Sequence, residues 1–253
     1  MSDQVVQPAA EITPGLSQWQ RLANTFSAPS KTFNDIKNGN RSWWLPFLIS
    51  ILFAYIFFAA ITTKIGLSQV AQNAIHMNPK AEEQMSQLPK DQSDMRIKIT
   101  QYAMEGSFAA SPILVLMVVA IVSLIMWGTI NFAFGGKATF GSTFAVYMYA
   151  SLPAVIKTIL GTVVLYTGLA PESFNVSNFA PTNLGAFLSP TETNAALYKL
   201  ATALDFTTIW TMVLLGIGLS IIAGVKRTSG YIAVFGWWAI IVLCTVGFAA
   251  ISG

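Results

Sequence analysis

The sequence predicts an all-α protein, a polytopic membrane helix bundle with five transmembrane helices and short amphipathic interfacial helices. Three observations carry this. Of 253 residues, 54% are hydrophobic and only 10% are charged, where a soluble domain carries about 25% charged. The mean hydropathy is +0.58. The 14 basic and 11 acidic side chains are also segregated, leaving uncharged stretches of the roughly 20 residues that a helix needs to cross a hydrocarbon core of about 30 Å. So few charges cannot solvate a 27.3 kDa globule, which excludes a soluble enzyme, and the hydropathy excludes a disordered chain.

The elements follow in order. Residues 1–16, with Pro8, Pro14 and Gly15, read as a flexible tail. The first 42 residues hold no apolar run with a cleavage site, so the first span is expected to direct insertion. Residues 17–42 form a cytoplasmic amphipathic segment. Trp19, Leu22 and Phe26 share one helical face, and Phe33 and Ile36 share another after Pro29. Both pieces are expected on the membrane surface, with Arg21, Lys31, Lys37 and Arg41 near headgroups, or packed on the protein's own loops. The membrane domain covers 43–253.

Span one, 43–63, opens with the interfacial pair Trp43 and Trp44. The hydrophilic loop 64–105 balances Glu82, Glu83, Asp91, Asp94 and Glu105 against Lys64, Lys80, Lys90, Arg96 and Lys98. Pro79 and Pro89 start two helices there, the second running on into span two, 107–134. Gly135-Gly136-Lys137 makes a tight turn. One helix over 138–171 would be about 51 Å long, too long for the core. Pro153 is therefore expected to break it, leaving 139–151 in or near the interface and span three at 153–170. After a second loop, 172–204, span four (206–225) and span five (230–251) flank a turn containing Lys226 and Arg227. Lysines and arginines beside the Lys137 and Lys226–Arg227 turns place the amino terminus in the cytoplasm and the carboxyl terminus outside.

Little chemistry is available. His76 is the one histidine, so the Ser–His and His-rich metal arrangements of membrane proteases cannot be assembled. Gly135-Gly136-Lys137 lacks the remainder of a phosphate-binding loop. Cys244 is alone and mid-span, and no Lys/Arg cluster suits nucleic acid. No catalytic, cofactor or metal site is expected, and the protein is not expected to be an enzyme.

Two features stand out as functional or packing positions. Lys157 is the one ionisable residue inside an apolar stretch, on a face shared with Gly161, Val164 and Gly168. Counted from Pro153 it lies about 6 Å from the inner end of its span, so its stem is expected to snorkel. Glu105 and Asp205 are assigned to outer span ends, where neither could pair with it. Gly216, Ser220 and Gly224 recur every four residues, which lets a neighbouring helix approach closely.

The run Pro29-Ser-Lys-Thr-Phe33-Asn-Asp-Ile36 with Trp43-Trp44-Leu-Pro46 resembles the amino-terminal signature of bacterial Yip (Ypt/Rab-interacting protein) domain proteins. Gly135-Gly136-Lys137-Ala-Thr-Phe140 with Tyr149-Ala-Ser-Leu-Pro153 is similar to that family's central motifs. The segment from Asp205-Phe206 to Leu215-Gly-Ile-Gly218-Leu resembles its penultimate span. The resemblance covers roughly 17–250 and implies five spans with the same orientation. Eukaryotic Yip proteins bind Rab-type GTPases and one another. A bacterium lacks that trafficking pathway, so GTPase binding is not carried over. The implied role is a non-enzymatic scaffold or partner-binding protein of the inner membrane. Its expected partners are lipid together with a membrane protein or a second copy. The alternative is a small-solute channel or transporter using Lys157.

Overall fold

The computed structural model describes residues 15–252. The predicted tail therefore lies, up to residue 14, outside the described residues. Five helical stretches are long and apolar enough to cross a membrane: Trp44–Lys64, Ser111–Ala133, Phe140–Tyr166, Phe206–Ala223 and Arg227–Ile251. The all-α expectation holds, and among the described residues extended pairing is limited to a bridge between Asn183 and Asp205.

Helix α1 (Gln18–Ser27) starts at a capping box in which the Ser17 and Gln20 side chains satisfy each other's backbone N–H. Helix α2 (Pro29–Lys37) starts on Pro29, whose fixed φ suits a first turn. The two do not simply rest on the bilayer surface. Arg21, Thr25, Thr32, Phe33 and Ile36 are fully buried, and the Phe26 ring meets Trp210 edge-on at 5.4 Å. The Arg21 guanidinium is 3.5 Å from Asp35, donates to the Asn40 carbonyl and lies over the Tyr149 ring. The hairpin is thus built into the bundle, with Trp19 left exposed.

Helix α3 (Trp44–Lys64) is the first span. The hydrophilic loop holds three helices, one more than its prolines announce: α4 (Leu67–His76), α5 (Pro79–Ser86) and α6 (Lys90–Ala109). Gly66 turns the chain at φ +83, and α4 seats Val70 against Phe57, Ile61 and Leu165. Helix α6 leads directly into α7 (Ser111–Gly128), which ends in a π-turn over Thr129–Ala133.

The third span departs from expectation. Helix α8 (Phe140–Ala150) forms one apolar stretch with the helix that follows it, Phe140–Tyr166, and buries Ala145, Val146, Tyr149 and Ala150 inside the bundle. Pro153 does break the helix there, as the first residue of α9 (Pro153–Tyr166), and is itself buried. Helix α10 (Ala195–Ala203) belongs to the second loop. Helix α11 (Phe206–Ala223) is the most enclosed span, at 61% buried, and packs on α12 (Arg227–Ser252), α2, α8 and α9. It runs antiparallel to the α8–α9 pair. Asp205 meets Lys157 at one end, and the Ala223 carbonyl accepts from the Lys137 N–H at the other. Eighteen residues of α-helix place those ends about 27 Å apart.

Candidate functional site

That register overturns the expectation for Lys157. The lysine lies at the end of α11 opposite the Lys137 and Lys226–Arg227 turns, not a few ångströms from them. Nor does it lack an acid, since its Nζ donates to Asp205 Oδ2 at 2.9 Å. Helix α8 runs alongside α11 between the two turns, which carries Lys157 to the Asp205 end of the bundle, away from its predicted place.

The pair is built by three parts of the chain. Pro153 sets α9, which presents Lys157 in its second turn. Asp205 caps α11, accepting from the Thr208 N–H at 3.0 Å, as N-cap aspartates do. Loop 171–194 folds over both. There Thr182 Oγ1 donates to Asp205 Oδ2 at 2.6 Å, and the Phe206 N–H donates to the Thr182 carbonyl at 2.9 Å. Thr207 Oγ1 donates to Oδ1. Asn183 approaches Oδ2 and exchanges amide hydrogen bonds with Asn178. Lys157 Nζ also lies over the Phe179 ring at 5.6 Å. Phe179 fills the space left by Gly161, where any Cβ would strike the ring.

The Asp205 side chain is 3% exposed and that of Lys157 is 24% exposed. Burial by itself would raise the acid's pKa. Hydrogen bonds from Thr182, Thr207, Lys157 and the Thr208 backbone outweigh it and hold the carboxyl below its usual range. The site is therefore a neutral ion pair with a saturated carboxylate. It can orient and fasten a loop, but it offers no nucleophile or free base. His76 lies apart, in an exposed contact with Glu82 at 2.9 Å. Among the described residues no group of three His, Cys, Asp or Glu could hold a metal.

The remaining candidates are packing points. Gly216 abuts Tyr231, and Gly230 of α12 lies directly on the Gly216 carbonyl and beside Ser220. The small-residue face of α11 is thus its contact with α12. Gly224 is not part of that contact. It ends α11 in the left-handed region at φ +70, with open space where a Cβ would stand. Gly218 completes another close approach, to Phe33 and Val146. Gly135 turns the chain at φ +67, and Gly136 packs where a Cβ would stand 2.8 Å from both Ala223 Cβ and the Ile130 carbonyl.

These contacts involve the residues whose pattern resembled a known family. Comparison with curated proteins and with solved structures finds no match. The family model described as the Yip1 domain matches residues 23–249. That match runs from the amino-terminal hairpin almost to the end of α12, and with nine-tenths of its length covered, the chain belongs to the Yip1 domain family.

Proposed function

We propose that this protein is a non-enzymatic membrane scaffold that binds a membrane-protein partner or a second copy of itself. One observation carries the reading. Helix α6 buries none of its residues, yet shows Met95, Ile99 and Tyr102 at 64%, 60% and 66% exposure. Their i, i+4, i+7 spacing aligns them as one stripe. The stripe lies amino-terminal to Met104 and Phe108, the residues by which the end of α6 packs beside the first span. A helix that rests one face on α4 and the first span yet displays a separate apolar seam suits recognition of another helix. Family membership agrees with a membrane role. The neutral, loop-covered Lys157–Asp205 pair favours a structural role over a solute path. On this reading the protein has its amino terminus in the cytoplasm and α4–α6 outside, in the inner membrane of a bacterium.

Photo-cross-linking from position 99 in native membranes tests this. A discrete adduct whose partner co-purifies with the wild type but not with Ile99→Asp is the expected result. Absence of any adduct, together with solute flux through the protein reconstituted in liposomes, would establish the channel or transporter instead.

A further inference from the structure

A second site lies at the far end of α11 from Lys157. The end of α2, the Gly224 turn and the start of α12 border a shallow, open cleft of about 300 Å³. Lys37 and Arg227 stand in its walls with Asn34 and Ser220, and Ile221 and Val225 supply an apolar side. No carboxylate lines it. The nearest acid on α2, Asp35, is occupied by Arg21, Asn40 and the Leu16 N–H. Among the described residues neither Lys37 nor Arg227 has an acidic partner, while Ser30 Oγ lies 3.0 Å from an Arg227 Nη and steadies the guanidinium. The first turn of α12 adds the partial positive charge of a helix start. Lys226 is exposed beside it, and the Lys137 N–H bonds the same end of α11.

The fold brings Lys37 and Arg227, 190 residues apart in the chain, to the walls of one cleft, a placement that suits an anionic group. The cleft opens where two apolar spans end, at the depth of lipid headgroups, and one of its walls is apolar. We propose that it holds the phosphate of an anionic phospholipid, clamped between Lys37 and Arg227, with the glycerol against Ile221 and Val225. Basic pockets between spans recognise headgroups in this manner, and each cation near the surface contributes about a factor of five in affinity.

The test uses the full-length protein in a neutral detergent, exposed to equal amounts of phosphatidylglycerol and phosphatidylcholine, with retained lipid read by native mass spectrometry. The wild type should prefer phosphatidylglycerol about 25-fold. Lys37→Gln with Arg227→Gln should lose the preference and Lys37→Arg should keep it. Both side chains are exposed, so the double variant should melt at the wild-type temperature. Should it fail to fold, the Lys37→Gln single variant and the wild-type lipid ratio decide. Equal retention of the two lipids by the wild type overturns the proposal, as does a preference that survives the substitutions. Displacement of phosphatidylglycerol by an equal concentration of inorganic phosphate also overturns it, assigning the cleft to a soluble anion.

Discussion

Asp205 shows how a residue at a helix terminus can do two jobs with one carboxylate. Oδ1 caps α11 through Thr208 and also takes Thr207, whereas Oδ2 receives Lys157 and Thr182. Removing one member of a buried ion pair costs about 3–5 kcal/mol when the other is left stranded. Lys157 is partly exposed and Asp205 keeps its neutral donors, so Lys157→Met is expected to cost about 1–3 kcal/mol. In a double-mutant cycle with Asp205→Ala, read by thermal unfolding in detergent, the coupling should be at least about 1 kcal/mol. Additive effects would mean that the lysine reaches for headgroups alone. Part of this pairing was legible. Lys157 follows Lys137 by 20 residues and Asp205 precedes Lys226 by 21, so two spans starting from one side bring them level. Treating 139–151 as interfacial hid that equality.

Among elements, the α11–α12 contact depends on absent side chains. Gly230 lies on the Gly216 carbonyl, and a Cβ there must push the backbones apart. Overpacking of this kind costs about 1–3 kcal/mol. Gly224→Ala should cost only about 1 kcal/mol, from the left-handed backbone. Gly230→Ala should therefore lower the melting temperature in detergent more than Gly224→Ala does. The reverse order would mean that α12 does not touch α11 at this point. A repeat every four residues announces a close-packed face, and Gly216 with Ser220 fulfils it. It cannot distinguish a packing glycine from the cap one turn later. Helix α4 was illegible for a different reason. Its ten residues carry no proline start or side-chain cap, and it is held by tertiary contacts, including Asn73 Nδ2 donating to the Pro171 and Phe174 carbonyls at 2.7 and 3.0 Å.

At the scale of the whole molecule, charge is sorted between the two ends of α11. Lys37, Lys137 and Arg227 gather at one end, and the mixed-charge α5–α6 segment lies beyond the other. With the basic end inside, single cysteines at Gln84 and Thr228 in a Cys244→Ser background should behave oppositely towards an impermeant thiol reagent. Only the Gln84 position should label in intact cells, and labelling confined to Thr228 would invert the topology. The sequence by itself determined the class, the five spans and the two short turns, because hydrocarbon permits nothing between them except apolar helix with its backbone satisfied internally. Depth and pairing were decided only by tertiary structure. Whether 140–150 lies in the interface or the core, and whether Lys157 meets lipid or Asp205, depends on how α8, α11 and the amino-terminal hairpin pack. An apolar helix has the same composition in either place, and only its neighbours distinguish them.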